Sequence, residues 1–365
     1  MWTWGRIVAE CLGGSGLIAD GDEVAVEAFN RIDAILGPEW IERYRAAHGG
    51  SDRRGLVITM NLVILGKELA NIDGVRGSAE IIRKLRELRT DPIAELDAIA
   101  LVMVGSDDLR LECEPTIPVP GREARKADFR IANGDEQCVY VEVTQPNTSE
   151  AEKSIALATA EISTVVESID GSYATEVFFH RSPTPEELLA VRPLVEEVCR
   201  SGQATERHLP DELGVIYAGH TAPHAAVVGD HHGRPYTPRI VRVTFVGRDI
   251  AKRQLKVSVP SMDHRAAQYL EDESGQLPDD SPGVIMIDTR RATGAMKGWA
   301  PMLHDQLRLD MYSNVSAVCL FSSSLVDTER GEDQRITTLV VTNPGAAHQL
   351  PAWMDTCLRR YESTA

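Results

Sequence analysis

Apolar positions in the first ninety residues recur at helical spacing. EVAVEAFNRIDAILG (23–37), GLVITMNLVILGKELANI (55–72) and SAEIIRKLRELRT (78–90) each carry an apolar stripe and are separated by Gly, Pro and charged breaks. DPIAELDAIALVMVG follows as a fourth expected helix, with Pro92 in its first turn and Gly105 just past its end. Beyond it the texture changes to strands: LRLECEPTIPV, ADFRIA, QCVYVEVTQ and ATEVFFHR. A long helix, SEAEKSIALATAEISTVVESI, lies between the last two, with Ser149 and Glu152 at capping-box spacing. Downstream, PEELLAVRPLVEEVCRSG reads as a helix, IVRVTFVGR, QLKVSVP and PGVIMIDTR as strands, PMLHDQLRLDMY as a helix, and VSAVCLFSSS and ITTLVVTNP as strands. Wholly apolar strands alternating with helices predict an α/β protein with a mixed sheet covered on both faces. The expected division is a helical region over 1–90 and an α/β domain over 91–365 with a C-terminal strand and helix extension. Linkers are expected near Thr90–Pro92 or within 219–238.

One stretch points to chemistry. KADFRIANGDEQCVYVEVTQP, from Lys126 to Pro146, reads as a hairpin with Asp128 opening one strand and Glu142 near the end of the next. Side chains alternate along a strand, so the connecting loop decides whether the acids share a face. A two-residue Asn133–Gly134 turn pairs Asp128 with Val139 and separates them. A three-residue loop pairs Asp128 with Tyr140 and sets Glu142 diagonally at roughly 7 Å; a five-residue loop, 133–137, puts the acids opposite at about 5 Å. A shared metal ion therefore requires an odd loop or a bulge. Otherwise the acids are surface carboxylates of an ordinary sheet, although Glu142 sits in a strand apolar enough to be central, where an unpaired carboxylate is costly.

From Asp91 to His180 the order is helix, strand, strand, strand, helix, strand. With Asp128 in KADF and Glu142 in VEVTQ, this resembles the PD-(D/E)XK nuclease superfamily over about ninety residues. The resemblance implies a restriction-endonuclease-like core and a divalent metal, Mg²⁺ or Mn²⁺, held by Asp128 and Glu142. It implies hydrolysis of phosphodiester bonds in DNA or RNA. Mg²⁺ takes hard oxygen ligands from one or two carboxylates plus waters and phosphate. Thr144 stands where the family has its lysine; Lys153 in the following helix and Lys126 are candidates to replace that charge. Glu95, on the preceding helix, is the expected additional acid, and Glu114 a further one. The alternative is a non-cutting relative that serves as a binding or assembly module and forms a homodimer.

Charge narrows the partners. A net charge of −17 argues against a general basic surface for duplex nucleic acid, leaving Arg122, Arg125, Lys126 and Arg130 as a local basic cluster to meet a phosphate backbone. Six scattered cysteines without a CxxC pair fit a reducing compartment. The opening MWTWGRIVAECLGG has no secretion signal pattern, and the apolar run 55–66 is too short to span a bilayer, so a cytoplasmic location is expected. His220, His224, His231 and His232, with Asp230, read as an exposed loop ahead of a metal site. GGSG at 13–16 reads as a turn, and Gln276, Asp288 and Asn343 as loop and strand-end polar groups.

Overall fold

The computed structural model describes residues 1–12, 22–48, 52–104, 108–118, 124–134, 137–147, 150–169, 173–181, 183–201, 205–219, 238–246, 252–260, 265–292, 295–309, 311–328 and 331–362. It divides into two compact units. One comprises Met1–Pro146, Arg265–Arg290 and Trp299–Ala365; the other comprises Asn147–His264 and Arg291–Gly298. The histidine segment, Arg122, GGSG and Ser149 lie outside the described residues.

The first unit opens with α1 (Trp4–Glu10), α2 (Asp22–Leu36), α3 (Trp40–His48), α4 (Asp52–Ile72), α5 (Ser78–Arg86) and α6 (Asp91–Met103). Next come β1 (Leu109–Cys113), the short pair β2 (Thr116–Ile117) and β3 (Arg125–Lys126), then β4 (Phe129–Asn133) and β5 (Val139–Thr144). The second unit holds α7 (Glu150–Ser168), β6 (Tyr173–Phe179), α8 (Pro185–Arg200), β7 (Thr205–His208), β8 (Gly214–Gly219), β9 (Pro238–Val246) and β10 (Lys252–Pro260). The chain ends with α9 (Arg265–Ser274), β11 (Gly283–Asp288), α10 (Ala295–Leu307), β12 (Ala317–Thr328), β13 (Gly331–Thr342) and α11 (Ala352–Arg359). The protein is α/β: a helical N-terminal region followed by mixed sheets flanked by helices.

In the first unit the sheet order is β1-β4-β5-β11-β12-β13. β11 runs parallel to both β5 and β12, whereas the remaining neighbours are antiparallel. All six residues of β11 are buried, as expected for a central parallel strand. Val139, Val141, Val284, Met286, Cys319 and Phe321 turn one sheet face into the same core as Phe29, Ile32, Leu62, Leu69 and Leu96 of α2, α4 and α6. α6 is buried almost all round, including Glu95 and Asp97. Two carboxylates in so apolar a helix must find partners, and they reach different clusters.

The α4–α5 connection is locked to the end of β1. Gly77 has φ +86°, and a Cβ there would lie 1.8 Å from the Cys113 carbonyl oxygen, while Cys113 N–H donates to Arg76 O at 2.9 Å. Gly77→Ala combines a left-handed backbone with a clash against main chain. It should cost about 2 kcal/mol or more in a urea denaturation series.

The second unit has a five-stranded sheet of order β7-β8-β6-β10-β9. Val177, Phe179, Ile216, Val257 and Val259 pack against Ile155, Ile162, Leu188 and Val195 of α7 and α8. Thr184 and Glu187 form a capping box at the start of α8. Among the described residues no helix is long and apolar enough to cross a membrane.

Candidate active site

The register of β4 and β5 pairs Phe129 with Val141 and Ile131 with Val139. One residue beyond the last pair, the same register sets Asp128 across from Glu142, the relation expected of a loop over 133–137 and not of a two-residue Asn133–Gly134 turn. Residues 135–136 of that connection lie outside the described residues. Past its last β4 partner, the Val143 N–H donates to Asp128 Oδ2 at 2.7 Å, so the carboxylate takes the place of a ladder carbonyl. Glu142 is only 3% exposed, in a strand with neighbours on both sides. It shares a hydrogen bond with Asp128, while its Oε1 is buried without a partner.

Burial, the nearby Asp128 and Glu273 carboxylates, and that shared hydrogen bond push the Glu142 carboxyl far above its ordinary range. Burial and Glu95 likewise raise Asp128, to about 7, against the opposing Val143 N–H and Lys84. Two carboxyls so placed cannot both ionise readily. The pair retains a proton near neutral pH.

Helices complete the site. α6 brings Glu95, 5% exposed, whose second oxygen Oε2 is also buried without a partner. α5 brings Lys84, which the sequence reading did not single out. Its Nζ lies 3.1 Å from Glu95 and 3.7 Å from Glu114, with 15% of its side chain exposed. Burial opposes its charge, but Glu95, Asp128 and Glu114 outweigh that and raise its pKa; Lys84 is an ammonium here. Glu95 is itself pushed up by burial and held back by Lys84.

The remaining candidates fall into distinct places. Glu114 sits at the end of β1 with φ +45°, and it also takes Lys126 at 3.1 Å. Lys126 is thereby turned to Glu114, with 64% of its side chain exposed. Thr144 stands beside Glu273 of α9, whose carboxyl burial raises and the Thr144 and Gln276 contacts hold back; Gln276 Nε2 donates to Glu273 at 2.8 Å. Glu273 is a second residue the sequence reading missed. Lys153 is exposed on α7, in the other unit. Arg130 pairs with Glu112 at 2.5 Å and reaches the Tyr140 hydroxyl at 3.4 Å, and Arg125 donates to the Leu277 carbonyl at 3.5 Å. Asn343 is structural: its amide donates to Tyr312 O and Val315 O, both at 2.8 Å.

Glu95, Asp128 and Glu114 thus gather around one buried ammonium, with Glu142 set between Asp128 and Glu273. Among the described residues no group of three or more His, Cys, Asp or Glu side chains is set to hold a metal ion. A hydrated Mg²⁺ needs only one or two carboxylates, and the hard oxygens of Asp128 and the unpartnered Glu142 Oε1 meet that need. Comparison with protein-family models finds no match, and neither curated proteins nor solved structures yield one.

Proposed function

We propose that the protein is a metal-dependent nuclease, hydrolysing phosphodiester bonds in DNA or RNA at the Asp128–Glu142 site, on a restriction-endonuclease-like core. The observation that carries this reading is the register that sets Asp128 across from a buried, partnerless Glu142 oxygen. Asp128 and Glu142 would hold Mg²⁺ or Mn²⁺, with Glu95 close by. When bound, such an ion supplies a more acidic water and neutralises charge on the phosphate. The Val143 N–H fixes the Asp128 carboxylate in place. Lys84, charged and held by Glu95, takes the position-independent part of the missing lysine's work, adding positive charge beside the acids. Thr144, turned to Glu273, contributes a hydroxyl and no charge. Lys126 and Arg130, with Arg125, would face the backbone of the substrate.

The test is cleavage of single- and double-stranded DNA and RNA with Mg²⁺ or Mn²⁺, with Asp128→Ala and Glu142→Ala as controls. Product formed by the wild type and lost in both variants supports the nuclease. A specific feature favours the second reading, a non-cutting module: Lys84 is already committed to two carboxylates. Metal binding without cleavage of any of the four substrates would select it.

The raised acids give the site a pH signature. For a carboxyl whose folded pKa is raised, the stabilising protonated form is fully present below the unfolded value and is lost as pH rises through the folded one. For Asp128 that window runs from about 4 to about 7. The metal-free protein should therefore lose thermal stability between pH 5 and pH 8, and saturating Mn²⁺ should return most of it by replacing the proton. Melting curves at fixed ionic strength decide the matter; a flat metal-free profile contradicts the shared proton.

A further inference from the structure

A pocket of about 310 Å³ opens among the α4–α5 connection, the end of β1, β2 and β4. Its charged lining is Arg76, Glu112, Glu114 and Arg130. Glu112 and Arg130 are partners in the β1–β4 register, and Tyr140 partners Arg130 from β5. The Glu112 carboxylate stands between two guanidiniums: Oε1 is 3.3 Å from Arg76 Nε, and Oε2 is 2.5 Å from Arg130 Nη2. Arg130 Nη1 also reaches the Tyr140 hydroxyl at 3.4 Å. Arg76 is fixed at its main chain, its carbonyl accepting the Cys113 N–H at 2.9 Å, while 83% of its side chain is exposed. Its two Nη groups donate to no protein acceptor among the described residues.

The charges here do not cancel. Glu114, the pocket's other acid, takes Lys126 at 3.1 Å. Even with Lys84 assigned to Glu95, three cations meet two carboxylates, in a chain whose net charge is −17. Exposed ion pairs contribute little stability, so the fold gains little from two guanidiniums on one carboxylate. A planar guanidinium matches phosphate oxygens two at a time, whereas a metal ion or an amine would meet the excess positive charge.

The pocket adjoins the acid pair. Glu114 N–H donates to the Asp128 carbonyl at 2.7 Å, so the Glu112–Arg130 rung lies two residues, roughly 7 Å, along the strands from Asp128. That is about two nucleotides of duplex rise.

We propose that Arg76 and Arg130 together hold a backbone phosphate of the nucleic acid, a nucleotide or two from the bond placed at Asp128 and Glu142. Arg76, far upstream of the basic cluster at 122–130, is thereby a substrate-positioning residue. The identity of this ligand rests on the nuclease reading, but its test does not require cleavage.

Fluorescence anisotropy tests it on the full chain, with labelled single- and double-stranded DNA and RNA, Ca²⁺ as the only divalent ion, and a series of NaCl concentrations. Arg76→Gln, a change at an exposed side chain, should bind the tightest of these probes about tenfold more weakly, and the slope of log Kd against log salt should fall by about one. Glu112→Gln frees both guanidiniums of their carboxylate and should bind the same probe about threefold more tightly or better. Arg200→Gln on α8 removes an exposed charge outside the pocket and should alter neither quantity. Binding unchanged in Arg76→Gln, or weakened as much by Arg200→Gln, overturns the proposal; wild-type cleavage with Mg²⁺ beside that result leaves the nuclease standing without this subsite. Arg76-dependent binding with no cleavage by the wild type upholds the subsite and removes the nuclease. Failure to bind any of the four probes overturns the proposal, and a phosphoserine peptide bound instead through Arg76 would reassign the pocket to a protein partner.

Discussion

Glu142→Gln should lower metal-dependent cleavage by about 10²–10³-fold, the size of loss seen when one preorganised charge-stabilising group is removed, while raising the stability of the metal-free protein. The two effects have one cause. Glu142 sits in a central strand with an oxygen that no protein group satisfies, facing Asp128. A structure under selection for stability alone would place a neutral or apolar side chain there. Glutamine keeps the shape and can donate to Asp128, so the paired acids no longer need a shared proton. A gain of about 1–2 kcal/mol is expected, typical of removing a functional strain, read from urea denaturation at pH 8 without metal. Manganese should stabilise the wild type and leave Glu142→Gln nearly unmoved. If the variant is instead less stable by several kcal/mol and metal stabilises both proteins equally, Glu142 is a structural acid and the metal site lies elsewhere.

How much of this was legible in the sequence depended on range. The helices at 22–36, 52–72, 78–86 and 91–103, and the strands at 109–113, 129–133 and 139–144, follow from local periodicity and fall where the pattern placed them to within a few residues. The Asp128–Glu142 relation was legible only as a condition on loop parity, because the locally strongest turn signal, Asn133–Gly134, argued for the wrong register. Tertiary pairing with β11 and burial of Val139 and Val141 set the register instead, since a one-residue slip would turn those valines away from the core. α10 begins at Ala295, ahead of the expected Pro301, because the proline is tolerated inside the helix and Trp299 is buried. Lys84 was illegible for a different reason. In SAEIIRKLRELRT it is one of four cations on an amphipathic helix, and only the Gly77 approach to Cys113 shows that this helix is pinned beside β1. Glu273 lies in RAAQYLEDES, whose apolar stripe is too sparse to announce α9. The one available signal was Glu95 itself, a carboxylate in a helix apolar on every side, which demanded a cation from another element.

Lys84→Met should separate the structural and chemical parts of that demand. Lys84 and Glu95 expose only 15% and 6% of their side chains, and removing one partner of a buried pair costs about 3–5 kcal/mol because the other charge is stranded. Cleavage should fall by about 10²-fold or more, since the ammonium is the cation that the structure sets against Glu95, Asp128 and Glu114 together. Loss of stability alone could also reduce activity, so the informative protein is Lys84→Met with Glu95→Gln. Neutralising both partners removes the stranded charge, and most of the lost stability should return in denaturant melts. Activity should not return with it, because the positive charge beside Asp128 is still absent. Lys84→Arg, which keeps the charge on a longer and broader head, should retain part of both. If the double variant regains cleavage along with stability, Lys84 serves only to satisfy Glu95. The charge that replaces the lysine missing at Thr144 must then come from another side chain, and Lys126, now on Glu114, is the next to test.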